Sequence, residues 1–237
     1  MNRYFNDISF TPEQFDTLGN LLPSSLLEAF QKMAGDHANL LGVGYDSLAK
    51  RGLLWIILQT RYEILRMPKP QEIIRIHTWP LPATRLGFER NYLIYDKKGE
   101  VLIKGNSLWS IMDASTRKLA QVGNLYPEME YCLEKTFEER ARRLQDFEKQ
   151  APASTVIPHA SYIDSNGHVN NTYYPIMALS TVGGLQGPLK GFQIDYLHEV
   201  LCGQPLKIFA IQEGNALIAK GESAEGARMF ACSFIYK

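Results

Sequence analysis

The chain has 237 residues, 45% of them hydrophobic, and its 25 basic side chains balance 25 acidic ones for a net charge of zero. That balance excludes the overall positive field of a non-specific nucleic-acid binder, so no nucleic-acid partner is expected. The longest apolar run, at 52–58, falls far short of the roughly 18 residues that would span a bilayer, so no membrane span is expected either.

The opening MNRYFNDISF carries Asp7 early and has no apolar core, so neither export nor organelle import is signalled and a cytoplasmic setting is expected. The first strong signal is Pro23-Ser24-Ser25-Leu26-Leu27-Glu28, where Ser25 and Glu28 have the spacing of a capping box. A helix is expected to start there. Leu26, Leu27, Phe30, Met33, Ala34, Leu40 and Leu41 recur every three or four residues and form one apolar stripe, which Gly42 and Gly44 end. Strand-like runs rich in Ile, Leu, Trp, Tyr and Thr then occupy 53–65, 72–79, 87–95 and 101–112. Asp96-Lys97-Lys98-Gly99-Glu100 supplies the hairpin turn between the last two.

From Tyr126 to Pro158 the character changes. Both charge signs recur at helical spacing through KTFEERARRLQDFEKQ, which predicts a solvated surface helix, and Ala151-Pro152-Ala153-Ser154-Thr155 follows as a linker. A second reading makes Arg140, Arg142 and Arg143 a docking site for an acidic partner. Beyond the linker the first order recurs: a polar turn, a helix at about 171–181, and strands near 192–200, 205–212, 216–222 and 228–236. Tyr62-Glu63-Ile64-Leu65-Arg66 can be laid over Tyr196-Leu197-His198-Glu199-Val200, and the order of elements agrees with that alignment. The expectation is an α+β fold of the tandem (double) hot-dog kind, each repeat a long helix wrapped by a curved antiparallel sheet. Residues 1–126 form the first repeat, 127–158 a charged, partly helical linker, and 159–237 the second repeat.

The densest polar stretch is Tyr162-Ile163-Asp164-Ser165-Asn166-Gly167-His168-Val169-Asn170-Asn171-Thr172-Tyr173-Tyr174, where a carboxylate, an amide and an imidazole alternate just before a helix can begin. Such a turn can aim backbone amides, and the helix's first turn, at a carbonyl oxygen that gains negative charge. Asn166 can donate to a carbonyl, His168 can exchange protons near neutrality, and Asp164 can orient or activate water. Those are the parts of an acyl hydrolase. The same residues also read as an Asx-rich turn in which Asn170 or Asn171 caps the helix. If 193–200 is one strand, alternation puts Asp195, Leu197 and Glu199 on a common face.

The string Asp164-x-Asn166-x-His168-Val169-Asn170-Asn171-x-x-Tyr174 resembles the signature of the acyl-acyl carrier protein thioesterases, plant and bacterial enzymes that release fatty acids from the carrier protein. Trp79-Pro80, Trp109-Ser110-Ile111-Met112-Asp113 with Thr116-Arg117, and Tyr196-Leu197-His198-Glu199-Val200 extend the resemblance over most of the chain. It implies fatty acyl-acyl carrier protein hydrolysis in fatty acid biosynthesis, with acyl carrier protein as partner and the acyl tail in the first repeat. It implies a catalytic set of Asp164, Asn166, His168 and Glu199, supported at the turn and helix start by Val169, Asn170 and Asn171. A cysteine nucleophile just after the glutamate, an older proposal for the plant enzymes, meets Val200 here, with Cys202 further on. Whether Asp164 or Glu199 is the base, or a covalent acyl-carboxylate forms, stays open, as does a homodimer.

The three cysteines, Cys132, Cys202 and Cys232, lack C-x-x-C spacing, and His37, His77, His159 and His198 lack metal-ligand spacing. No disulfide, metal or cofactor is expected. The rival readings are an acyl-coenzyme A thioesterase, a non-catalytic acyl or carrier-protein binder, and a hot-dog dehydratase.

Overall fold

The computed structural model describes residues 2–120, 123, 125–148 and 152–237. The chain divides into two units, Met1–Pro12 with Glu28–Arg140, and Glu13–Leu27 with Ala141–Lys237.

In the first unit, strand β1 (Tyr4–Ile8) precedes helix α1 (Pro23–Leu40), which belongs to this unit from Glu28 onward. Helix α2 (Tyr45–Ala49) and strands β2 (Leu53–Ile64), β3 (Ile74–Pro80), β4 (Phe88–Tyr95) and β5 (Val101–Asp113) follow. The antiparallel sheet runs β1-β3-β4-β5-β2. Helix α1 starts at Pro23, ahead of the expected Ser25 cap, because a proline in the first turn has no N–H to leave unbonded. It ends as Gly42 dictates. With φ at 72°, Gly42 donates its N–H to the Asn39 carbonyl and Val43 donates to that of Ala38, the crossed bonds of a Schellman closure. On the buried stripe, Phe30 stacks on Tyr92 with centroids 4.1 Å apart and meets Tyr62 edge-on. Gly105 makes room for that ring, since a Cβ there would lie 2.5 Å from it. At the end of β5, Asp113 Oδ1 accepts from the amides and hydroxyls of Ser115 and Thr116.

In the second unit, strand β6 (Ser154–Val156) leads through a 3₁₀ turn at Ala160–Tyr162 to a second at Asn171–Tyr173, which runs into helix α3 (Tyr174–Ser180). Strands β7 (Leu189–Tyr196), β8 (Leu206–Glu213), β9 (Ala216–Glu222) and β10 (Arg228–Tyr236) follow. They are ordered β6-β8-β9-β10-β7, the first unit's order strand for strand. Helix α3 is short, not the long helix expected. The hydroxyls of Ser180 and Thr181 bond back to the carbonyls of Met177 and Ala178, which a longer helix would use. Among the described residues no helix is long and apolar enough to cross a membrane.

Both sheets share a local irregularity. Where β2 ends, the amides of Leu65 and Arg66 both donate to Leu102 O; where β7 ends, those of Leu197 and His198 both donate to Met229 O. This pairs Leu65 with Leu197, out of step with the expected alignment of Tyr62 on Tyr196, so Met67 is the counterpart of Glu199.

The expected surface helix does not form over 135–148, where the chain is extended; Lys149, Gln150 and Ala151 lie outside the described residues. Side chains of the sheets take its backbone groups and replace the intrahelical ladder. In the first unit, Trp79 Nε1 donates to Glu134 O at 2.9 Å, Arg61 donates to Glu139 O, and Asn91 Oδ1 accepts from the Thr136 amide and hydroxyl. Arg140, weighed as a docking residue, pairs with Glu89. In the second unit, Gln193 Nε2 donates to Arg142 O, Leu144 N–H donates to Asp195 Oδ2, and the buried Lys220 donates to Asp146 and to Phe147 O.

Two outcomes are expected. Thr136→Val removes a buried hydroxyl that stands within reach of two acceptors, Asn91 Oδ1 and Gly105 O, and donates its one proton to either; it should lower stability by about 1–3 kcal/mol in urea unfolding. An unchanged midpoint would mean that the segment is merely draped over the sheet. The hydroxyl and amide donors around Asp113, that of Ser115 foremost, bring its carboxyl from the usual 3.8 down to about 2. A carboxyl depressed on folding stabilises above its unfolded pKa, and that contribution is lost as pH falls through the folded value. The Thr116 amide resonance should therefore titrate with a midpoint near pH 2, and a midpoint at 3.8 would contradict the turn geometry.

Candidate active site

The loop after β6 closes on itself. Asp164 N–H donates to His168 O at 2.9 Å, Gly167 N–H to Asp164 O at 3.0 Å, and Asn166 N–H to Asp164 Oδ1 at 2.8 Å. Gly167 sits at φ 83°, a conformation that side-chained residues rarely adopt. The Asp-x-Asn-Gly-His spacing thus encodes a tight turn, closed by a bridge between Ile163 and Val169, with Asn166 at its exposed tip. Val169 is buried and its N–H donates to Val200 O at 2.8 Å.

Asn170 is the cap of the following 3₁₀ turn. Its Oδ1 accepts from the Thr172 amide and hydroxyl at 3.0 and 2.9 Å, its carbonyl accepts from Tyr173 N–H, and its own N–H donates to Tyr162 O. Asn171 O accepts from the Tyr196 hydroxyl at 3.1 Å. The amides of Thr172 and Tyr173 are therefore engaged by Asn170 and do not point outwards at a substrate, contrary to the expectation for this turn.

Glu199 arrives by a route that strand alternation did not predict. Strand β7 stops at Tyr196, and the shared acceptor Met229 O turns the chain out of the ladder, so the common face for Asp195 and Glu199 does not exist. Asp195 is buried and holds the Leu144 amide. The diverted segment instead brings Glu199 Oε2 to 3.3 Å from His168 Nε2. The imidazole is 16% exposed and the carboxylate 38%, so water reaches the pair from the Glu199 side. His168 and Glu199, far apart in sequence, are in contact, and Asp164 stands in the same turn as His168.

One residue of the motif gains a part that its spacing did not reveal. Tyr174, the first residue of α3, is buried, and burial pushes its hydroxyl pKa well up. A hydrogen bond with the Val200 backbone lowers it, as donation by an amide does, while the charges of Glu199 and Asp164 raise it. Both carboxylates therefore act on this hydroxyl.

The cysteines stand apart from this arrangement. Val200, where a nucleophilic thiol would stand, is fully buried; Cys202 is exposed in the next turn; burial pushes the Cys232 thiol far up. His159 stacks on Tyr162, which stacks on Tyr173, with centroids 5.3 and 4.5 Å apart. Among the described residues no three His, Cys, Asp or Glu side chains gather to hold a metal.

The sequence pattern of the acyl-ACP thioesterase N-terminal domain matches residues 5–128. The chain belongs to the acyl-ACP thioesterase family. A chloroplastic acyl-[acyl-carrier-protein] hydrolase of Cuphea viscosissima is 27% identical over 199 residues, which cover 77% of this chain and 45% of that protein. A chloroplastic oleoyl-acyl carrier protein thioesterase of Coriandrum sativum is 29% identical over 177 residues, covering 67% and 46%. The chain thus spans about half the length of the curated relatives it matches. The solved acyl-ACP thioesterase of Bacteroides thetaiotaomicron has the same fold at TM-score 0.85 and 24% identity, covering 99% of this chain and 98% of its own. The 12:0-ACP thioesterase of Umbellularia californica has it at TM-score 0.85 and 17% identity, covering 99% and 97%. The hot-dog fold expected from the sequence is the fold of the family.

Trp79 and Asp113, two of the first-half positions of the resemblance, have structural parts, one anchoring the extended segment and the other organising a turn. The site residues Asp164, His168 and Glu199 lie beyond the matched domain. Iodoacetamide should alkylate Cys202 in the folded protein and leave Cys232 unmodified until denaturant is added, as peptide mass spectrometry would show. Labelling of Cys232 under native conditions would contradict its burial.

Proposed function

We propose that this protein hydrolyses the thioester joining a fatty acyl chain to acyl carrier protein, releasing free acid and holo-carrier protein. The contact of Glu199 with His168 carries this reading, in a turn that also presents Asp164 and Asn166. Membership of the family and the names of its curated relatives support the choice of carrier and of acyl chain.

In this reading the Glu199 carboxylate takes a proton from water as the water oxygen bonds to the carbonyl carbon. Asp164 is the weaker candidate for that step, because one of its carboxylate oxygens already accepts the Asn166 amide. His168, touching Glu199, orients the water, receives that proton from Glu199 and delivers it to the thiolate as the carbon–sulfur bond breaks, so both groups end as they began. The Asn166 carboxamide, on the exposed tip, donates to the carbonyl oxygen as charge builds there. With turn amides engaged by Asn170, more of that stabilisation falls to Asn166. One water is consumed, and one acid and one thiol leave. The acyl tail is assigned to the first unit, whose aliphatic and aromatic side chains suit it.

Incubation with carrier-protein thioesters of mixed chain length should liberate free fatty acids, read by mass spectrometry. Asp164→Ala and His168→Ala should each slow release by at least about 100-fold. Unchanged rates in both variants would overturn the assignment. Equal or faster cleavage of the matching coenzyme A thioesters would move it to the other carrier.

A further inference from the structure

We propose that Tyr196 is a positioning residue: its hydroxyl ties the end of β7 to the 3₁₀ turn that follows His168 and thereby sets how Glu199 meets the imidazole. Only the catalytic part of this inference rests on the thioesterase reading; the tie itself does not.

The two halves of the candidate site sit on separate pieces of chain. His168 belongs to the loop that runs into the 3₁₀ turn at Asn171–Tyr173, and Glu199 to the segment that has left the sheet after the bulge over Met229. Val169 N–H donates to Val200 O at 2.8 Å and joins the two pieces at one point. A single hydrogen bond is a pivot, about which the neighbouring carboxylate can swing away from the imidazole. The Tyr196 hydroxyl supplies a second point, donating to Asn171 O at 3.1 Å. Asn171 lies three residues after His168, and Tyr196 three residues before Glu199. The Tyr196 bond therefore closes a ring of chain that contains the 3.3 Å contact of His168 with Glu199.

Both ends of that bond are rigid, as a positioning contact requires. Tyr196 is the last residue of β7, is paired across the ladder with Phe230, and packs its ring edge-on against Tyr174 at 5.6 Å. On the other side, the Asn170 side chain accepts from both the amide and the hydroxyl of Thr172 and fixes the turn that presents Asn171 O. The first unit has the same bulge, but Ile64 stands there in the place of Tyr196, and an aliphatic side chain has no proton to donate. The chain past that bulge is held by Arg66, which pairs with Glu72 and Asp96. In the copy that carries the site, a phenol makes the tie without adding a charge beside Glu199.

Tyr196→Phe deletes the oxygen and keeps the ring. In that variant the Val169 amide should exchange hydrogen about fivefold faster, while the amides of β9 and β10 keep their wild-type rates. Unchanged exchange at Val169, or equal acceleration in β9 and β10, would overturn the tie. On carrier-protein thioesters kcat should fall about fivefold with KM within about twofold. An unchanged kcat would overturn the positioning role, whatever happens to KM. Placed in a Glu199→Gln background, Tyr196→Phe should change kcat by less than about twofold, because both act on one group. Losses that multiply would show that Tyr196 does not act through Glu199. A wild-type chain that cleaves no thioester would remove the proposed function, yet the exchange at Val169 would still decide the tie. Fluorotyrosine at position 196 in an otherwise unaltered chain covers the case of a variant that does not fold. Its more acidic phenol donates more strongly, so the Asn171 carbonyl carbon resonance should move downfield, and no movement would overturn the contact.

Discussion

A strand can offer a side chain to one face of its sheet only while it stays in the hydrogen-bonded ladder. At the end of β7 two successive amides, those of Leu197 and His198, compete for one acceptor, Met229 O, and the chain is driven out of the sheet. The meeting of the two parts of the site follows from that departure. It carries Glu199 away from the buried Asp195, brings it to the turn that bears His168, and leaves Val169, whose N–H donates to Val200 O, to tie the segment to that turn.

The same irregularity in the first unit, at Leu65 and Arg66, shows that the bulge is a property of the repeat and the site a specialisation of one copy. In the first copy the residue in the place of Glu199 is Met67, and the chain beyond is tied down by ion pairs. A second device serves both units: polar side chains on each sheet hydrogen-bond the extended segment around residues 134–147. Buried groups such as Asn91 Oδ1, Asp195 and Lys220 would be costly if left unpaired, and the segment supplies a partner to each.

The strands of both units were legible because runs such as those of β2 and β4 are rich in β-branched and aromatic residues and bounded by turn formers. β1 and β6 were not. They are short, YFNDI and STV carry little alternation, and edge strands bury few side chains. The extended segment misled because helical charge spacing is also compatible with a chain whose backbone partners lie far away in sequence, on Arg61, Gln193 and Lys220. At the site, the local turn of Asp164 to His168 was readable as a motif, since its bonds are all short-range. The meeting of His168 with Glu199, and the bond from Val169 N–H to Val200 O, are long-range contacts created by a bulge that the alternation of residues does not encode.

The central claim is that His168 and Glu199 work as one pair. Steady-state kinetics of His168→Ala, Glu199→Gln and the double variant on fatty acyl carrier-protein thioesters test it directly. A working pair predicts a double variant no more than about threefold slower than the slower single variant, because the first substitution already removes what the contact supplies. Losses that multiply in the double variant would mean that the two groups act independently, and would contradict the account.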